Sequence, residues 1–144
     1  MRRWMFAASL VSLSLASIQA ADKKIIQPEG YTLGLPFTPG ILIDGTLYIA
    51  GFSGENPKTG EVPREFEAEV RQALDKIGTI LKAAGMDYSD AVSVQVYLTD
   101  MSLFERMNTV YRTYFKEPRP TRTIAGVAKL IGPSRIEITV TARK

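Results

Sequence analysis

The apolar positions of the chain fall into segments whose spacing predicts strands and helices in turn. Residues 41–43 and 46–52 are apolar runs that flank Asp44-Gly45, a pair that tolerates the positive φ of a tight turn. The segment 53–63 that follows is rich in Gly and Pro, which predicts a loop. The first structured part of the chain is therefore a predicted β-hairpin.

Two later segments repeat apolar residues every three or four positions, which predicts helices with one buried stripe each. The first covers residues 64–84, with Gly85 where a helix C-cap belongs. The second begins at Asp100 or Ser102, both suitable N-caps, and ends before Pro118. The predicted buried residues are Phe66, Val70, Ala73, Leu74, Ile77, Ile80, Leu81 and Ala84 in the first helix, and Leu103, Phe104, Met107, Val110, Tyr111, Tyr114 and Phe115 in the second.

Three segments alternate apolar and polar residues with the period of strands. They are residues 91–99, 122–130 and 135–142. The last two are separated by the short Gly132-Pro133-Ser134 connection, so we expect them to be neighbours in the sheet. One face of the first of these strands is predicted to consist of Val92, Val94, Val96 and Leu98.

The resulting order is hairpin, helix, strand, helix, strand, strand, an α+β arrangement. Two helices can cover only one face of such a sheet. The other face would carry Tyr97, Thr99, Thr139 and Thr141, with few charges. A sheet face with few charges usually packs against something, so we expect a closed, cyclic homo-oligomer that buries it.

The chain of 144 residues contains no cysteine and no histidine. This excludes disulfides within the chain, thiol nucleophiles, Ser-His-Asp relays and zinc sites built from Cys or His. Catalysis would have to use other polar side chains, backbone groups or a metal held by oxygen ligands. The length is that of one domain.

The N-terminus has the layout of a secretory signal peptide. Arg2 and Arg3 precede an apolar run over residues 4–18, which is shorter than the ~20 residues that span a bilayer, and small residues follow it. We expect cleavage near Ala20 and Ala21, a domain over residues 21–144, and export to the periplasm or the medium. An uncleaved helix or anchor is the alternative.

The net charge of +3 comes largely from this leader. It rests on 18 basic and 15 acidic residues, and without Arg2 and Arg3 it becomes 16 basic and 15 acidic residues, or +1. Such a surface attracts nucleic acid or membrane only weakly. We therefore expect neither as a partner.

Arg122 is the first candidate for a functional residue. It stands in Pro120-Thr121-Arg122, at the start of an apolar predicted strand. A guanidinium there suits a carboxylate bound in a fork. The partner is either a ligand or a protein carboxylate in a structural ion pair.

Glu137 and Gly51 are the next candidates. Glu137 lies between Ile136 and Ile138 in a predicted strand. If its carboxylate is partly buried, it could move protons or hold a water. The alternatives are a solvated carboxylate or an ion pair with Arg122. Gly51 ends the predicted hairpin, where its amide could serve an anion or where close packing requires a glycine.

Several of these segments together resemble the RidA (YjgF/YER057c/UK114) family, the reactive-intermediate deaminases. The resemblance covers about residues 34–142. Its most specific part is the pairing of an Arg after Pro-X with Ile-Glu-Ile downstream. The matching segments are Leu47-Tyr48-Ile49-Ala50-Gly51, residues 56–63, Ala83-Ala84-Gly85, residues 92–100, Pro120-Thr121-Arg122 and Ile136-Glu137-Ile138.

The resemblance implies a chorismate-mutase-like fold and a homotrimer with an inner barrel and clefts between subunits. It implies hydrolysis of small enamines and imines to 2-oxo acids and ammonia, without metal or organic cofactor. Arg122 would bind the substrate carboxylate and Glu137 would position the water. Backbone amides at Gly51 and near Ile124 would line the same cleft.

Two positions depart from the family pattern. Phe37 stands where the family usually has Tyr, and Ile124 stands where it often has Cys, so the cleft should be more apolar. The first departure and the expected export, an unusual compartment for such an activity, leave a second hypothesis open, a non-catalytic protein that binds small carboxylates. A third hypothesis, which the low net charge disfavours, is a ribonuclease.

Overall fold

The structure, a computed structural model, describes residues 22–31 and 36–144. The predicted leader at residues 1–20 lies outside these ranges. The strands are β1 (Lys24–Ile26), β2 (Gly40–Ile43), β3 (Thr46–Ile49), β4 (Phe52–Ser53), β5 (Ala91–Leu98), β6 (Thr121–Gly126) and β7 (Ile136–Arg143); the helices are α1 (Phe66–Ala83) and α2 (Phe104–Tyr114). No helix in the described ranges is long and apolar enough to span a membrane.

All strands belong to one sheet, in the order β1-β2-β3-β7-β5-β6, with β4 also paired to β7. Each pair is antiparallel except β5 and β6, which run parallel. Both helices pack on one face, where the apolar residues of the two predicted stripes meet the buried residues of the strands. This confirms the α+β sheet with two helices on one face.

Local chemistry explains where the predicted hairpin and the first helix end. Asp44 and Gly45 have φ of 48° and 72°, the left-handed pair that a two-residue turn between β2 and β3 requires. After α1, Gly85 has φ of 73°, and the Met86 amide donates back to the Leu81 carbonyl at 2.9 Å. That bond closes a Schellman motif and stops the helix.

The last two strands are not neighbours, contrary to the sequence prediction. β5 lies between them, pairing with β7 on one side and with β6 on the other. The chain from β5 through α2 to β6 is a strand-helix-strand unit, which allows the two strands to pair in parallel. β6 also ends at Gly126, earlier than the predicted residue 130, because its partner β5 ends at Leu98.

One residue of β5 does not lie on the face that the sequence predicts for it. Val92 was predicted to face the core but is 46% exposed, because the pairing with β7 is irregular between Ala91 and Ser93. Ala91 is buried in its place. A β-bulge moves one residue out of the alternation, and nothing in the local sequence signals it.

The sheet face opposite the helices is uncovered within the single chain. Its apolar residues at one end include Ile25 and Tyr48, each 54% exposed. Its remaining positions are mostly uncharged. Register places the following residues on this face: Ile41, Thr141, Ser93, Thr121, Thr139, Gln95, Thr123, Glu137, Tyr97 and Ala125.

Candidate active site

Three of the predicted site residues line one open groove of about 850 Å³, the Glu137 groove. They are Phe37, Gly51 and Glu137. Gly51 lies against the Glu137 carboxylate: a Cβ on Gly51 would overlap Oε1 and stand 2.9 Å from Cδ. The glycine is therefore required by this close approach, and the Glu137 side chain lies across the backbone at the end of the hairpin.

A half-buried lysine fixes the floor of the Glu137 groove. Lys76, on α1, donates from Nζ to the carbonyls of Ser53 (2.9 Å) and Glu55. Burial lowers the pKa of Lys76, and the nearby Glu55 charge partly offsets this. The ammonium thus ties the chain after β4 to the helix behind it.

A second network fixes the start of β7, two residues before Glu137. The Glu69 carboxylate is fully buried and accepts from the Arg135 amide at 2.7 Å and from its Nε at 2.6 Å. Arg135 Nη2 donates to the carbonyls of Pro63 and Arg64. Sequence reasoning missed this pair. Glu69 has the same three-and-four spacing as the buried apolar positions of α1, and this was the signal that could have placed its charge on the buried face.

Arg122 lies elsewhere, in a cavity of about 380 Å³, the Arg122 pocket. Its guanidinium carbon stands 4.5 Å above the Tyr111 ring centroid and 6.0 Å from that of Phe104. Within the described residues its side chain makes no ion pair and no hydrogen bond to a protein group. The predicted alternative, a structural ion pair with a described carboxylate, is therefore absent.

The other walls of the Arg122 pocket are polar. They include Asn108, Tyr111, Arg112 and Arg119. Asn108 is 4% exposed, and the Tyr111 hydroxyl is buried without a hydrogen-bond partner among the described residues. Sequence reasoning assigned Tyr111 to the apolar stripe and did not select Asn108, a polar residue directly beside the stripe position Met107.

The two groups of site residues lie on opposite faces of the sheet. Arg122 is paired with Val94, which faces the helices, whereas Glu137 is paired with Tyr97, which faces away from them. Ile124 shares the face of Arg122, and its side chain packs against the core. Within one chain, therefore, the predicted carboxylate fork and the predicted water-positioning group lie in separate cavities.

The donor set favours organic anions over metals. No group of three or more His, Cys, Asp or Glu in residues 22–31 and 36–144 is arranged to hold a metal ion. The Arg122 pocket offers guanidinium, amide and hydroxyl donors, and the Glu137 groove offers a carboxylate beside exposed backbone at Gly51. Such groups can bind an acid and move a proton.

Known proteins are similar to this chain in sequence and in fold. A profile of the family described as Endoribonuclease L-PSP matches residues 32–144. The 2-iminobutanoate/2-iminopropanoate deaminase of Mus musculus is 41% identical over 104 residues, 72% of this chain and 77% of that protein.

Two solved structures show the likeness of the fold. The Rid-family protein YyfA of Yersinia pestis superposes with a TM-score of 0.79 at 28% identity, over 85% of this chain and 100% of that one. E. coli TdcF with bound serine superposes with a TM-score of 0.72 at 29% identity, over 78% and 91%. The chain, with its sheet, its two helices and the motifs around Gly51, Arg122 and Glu137, belongs to the RidA (YjgF) family.

Proposed function

We propose that the protein hydrolyses small enamine and imine intermediates to 2-oxo acids and ammonia. The supporting relatives are the 41% identical mouse protein, named as a deaminase of 2-iminobutanoate and 2-iminopropanoate, and TdcF, whose structure holds serine. Both ligand types are small and carry one carboxylate next to a nitrogen-bearing carbon. The observation within this chain that carries the proposal is the half-buried Arg122 guanidinium without a described protein carboxylate.

Arg122 orients the substrate in this proposal. Its planar guanidinium, stacked over Tyr111, presents two parallel N–H groups to the substrate carboxylate. The stacking limits the rotamers that the arginine can adopt, so less entropy is lost when the acid binds. Fixing the acid end of the substrate also fixes the adjacent C2 atom, where the reaction takes place.

Glu137 supplies the water in this proposal. An enamine first tautomerises to its iminium form, whose C2 is electrophilic. The Glu137 carboxylate accepts a proton from water as the water oxygen bonds to C2, giving a carbinolamine. That proton then passes to the nitrogen. Glu137 takes the hydroxyl proton as the C–N bond breaks and the C=O bond forms, and this proton then converts the released ammonia to ammonium, leaving a 2-oxo acid. Positioning of an already reactive group can supply much of the acceleration.

The complete site would form between subunits. Arg122 and Glu137 lie on opposite faces of one sheet, so one substrate molecule cannot contact both within a single chain. The uncovered sheet face, with exposed Ile25 and Tyr48, supports burial against further copies. A homotrimer with an inner barrel would bring the Arg122 pocket of one protomer to the Glu137 groove of the next.

The direct test is an assay of imine loss. 2-Iminobutanoate is generated in the cuvette by an amino-acid oxidase, with semicarbazide as a competing trap. The wild-type protein should lower trapping, and Arg122→Ala should lose about a hundredfold in rate, since a bidentate charged contact is removed. Lys82→Gln is the matched control and should retain the wild-type rate, because Lys82 is an exposed residue of α1 that lines neither the Glu137 groove nor the Arg122 pocket.

The same assay separates the competing hypotheses. Equal rates for wild type and Arg122→Ala would contradict the proposal. Calorimetric binding of 2-oxobutanoate with no turnover of any imine would favour the non-catalytic carboxylate-binding protein. Cleavage of RNA that is abolished by a change in the cleft would favour a ribonuclease, the activity in the description of the family profile.

A further inference from the structure

The Arg122 pocket carries more positive charge than a single carboxylate needs. Three arginines line it: Arg112 from α2, Arg119 from the segment before β6, and Arg122 from β6 itself. The acidic side chain in contact with them among the described residues is Glu117, which binds Arg119. A small cavity with this excess of guanidinium groups favours a ligand with more than one negative charge.

The uncharged groups of the pocket also point to a missing ligand. The Tyr111 hydroxyl is buried and has no partner among the described residues, although a buried hydroxyl without one costs roughly 1–3 kcal/mol. Burial raises the pKa of Tyr111, and the charges of Arg122 and Arg119 oppose the rise, so both guanidinium groups act on this side chain. An acidic oxygen beside the hydroxyl would satisfy its donor.

Helix α2 and the segment before β6 bring these polar groups to one cavity. Asn108, Tyr111 and Arg112 are three and four positions apart on α2 and therefore share a helix face, which meets the start of β6. Arg119 lies three residues before Arg122, so the two guanidinium groups approach the cavity from the same segment. A ligand whose first acid is bound by Arg122 has Arg112 and Arg119 nearby for a second acid.

We propose that the preferred ligands of this site are dicarboxylic: the imines of acidic amino acids and the 2-oxo dicarboxylic acids that their hydrolysis releases. This rests on the proposed function and names its substrate class. Arg122 binds the carboxylate next to C2, and the distal carboxylate lies between Arg112 and Arg119. The volume of about 380 Å³ fits a small diacid and not a nucleic acid chain.

Glu117 does not prevent this binding. Its side chain is 71% exposed, and an ion pair at such a position contributes little. A ligand carboxylate that contacts both Arg112 and Arg119 competes with Glu117 for Arg119 with an advantage, because it makes charged contacts with two guanidinium groups.

The test compares a diacid with a monoacid of similar backbone. Calorimetry is run on the full-length protein with 2-oxoglutarate and with 2-oxobutanoate, for wild type, for Arg112→Gln/Arg119→Gln and for the control Lys82→Gln. The wild type should bind 2-oxoglutarate about tenfold more tightly, as one extra charged contact allows. The double variant should lose that advantage, because it weakens 2-oxoglutarate binding by more than 2-oxobutanoate binding, while the control keeps both affinities.

The outcomes separate this inference from the proposed function. If both acids bind equally, or if the double variant weakens both to the same extent, the dicarboxylate preference is wrong while imine hydrolysis can still stand. If neither 2-iminobutanoate nor the glutamate-derived imine is hydrolysed but 2-oxoglutarate binds in preference, the proposed function fails and the dicarboxylate-binding site stands. Hydrolysis of the glutamate-derived imine faster than 2-iminobutanoate, reversed in the double variant, would support both.

Discussion

Arg135 and Arg122 stand near the starts of the last two strands, in opposite environments. Arg135 donates to Glu69 and to two backbone carbonyls and lies 5.4 Å from the Phe66 ring centroid. Arg122 stacks on an aromatic ring in a similar way but donates to no described protein group. One arginine is satisfied by the fold and the other faces a cavity.

The difference teaches which charge the fold depends on. A buried carboxylate such as Glu69 is tolerated only when it is paired, so Arg135 is required for stability. A guanidinium that the chain leaves unpaired contributes little to folding and is available to a ligand. Identical side chains near the starts of consecutive strands thus divide into one that the fold satisfies and one that the fold leaves open to a ligand.

The same substitution at both arginines should separate the two roles most strongly. Arg135→Met removes the charge partner of the buried Glu69 and leaves only the backbone amide of residue 135 as a described donor, so it should cost about 3 kcal/mol of the free energy of unfolding. Arg122→Met removes only a stacking contact and should cost less than about 1 kcal/mol. Urea unfolding measures both. Equal losses would break the comparison, and Glu69→Gln added to Arg135→Met should restore part of the stability.

The next effect concerns the Glu137 groove. In Gly51→Ala the new Cβ overlaps the Glu137 carboxylate, which must turn away because the side chain is more flexible than the backbone. We expect kcat for imine hydrolysis to fall roughly tenfold through misplacement of the carboxylate. In the Glu137→Gln background the same change should have no further effect. A tenfold loss in both backgrounds would show that Gly51 acts independently of Glu137.

Removal of the Tyr111 hydroxyl should have two smaller effects of opposite sign, a gain in the stability of the free protein and a loss in ligand affinity. Tyr111→Phe removes a buried hydroxyl that lacks a described partner, so the free protein should be more stable by about 1 kcal/mol. Binding of 2-oxo acids should weaken at the same time, because the hydroxyl no longer donates to the ligand. Thermal unfolding with and without ligand measures both quantities. A less stable free protein would mean that the hydroxyl already has a partner.

The smallest effect is that of an exposed pair that lines neither the Glu137 groove nor the Arg122 pocket. Arg106 donates from Nε and Nη2 to the Glu67 carboxylate, each at 2.7 Å, and this lowers the pKa of Glu67 from 4.5 to about 2. A depressed pKa means that the stabilisation is complete above pH 4.5 and is lost as the pH falls toward 2. The wild type should have a slightly higher Tm than Glu67→Gln at pH 6, and this difference should vanish near pH 2. A difference that persists at pH 2 would contradict the assignment.

Much of the fold could be predicted because its signals are local. The turn at Asp44-Gly45, the apolar stripe of α1 and the stop at Gly85 each depend on a few consecutive residues. The sheet order is not a local signal. β6 and β7 are close in sequence, yet β5 lies between them in the sheet. The strand-helix-strand order from β5 to β6 was the signal that could have corrected this prediction.

The candidate site divides in the same way. Gly51 beside Glu137 could be expected, since a glycine at a strand end often marks close approach. The separation of Arg122 from Glu137 could not, because the face on which a residue lies depends on which strands pair. Nor could Asn108 and Tyr111 be assigned to the pocket, because their spacing on α2 equally suits a core.

The central claim, a site shared between protomers, is tested most directly by mixing two inactive proteins. Arg122→Ala and Glu137→Gln are unfolded together in equal amounts and refolded, and imine hydrolysis is measured. If Arg122 of one protomer works with Glu137 of the next in a cyclic trimer, each mixed trimer regains one intact site, and activity should return to about a quarter of the wild-type value. A mixture as inactive as its components, with mixed trimers confirmed by mass spectrometry, would contradict the claim.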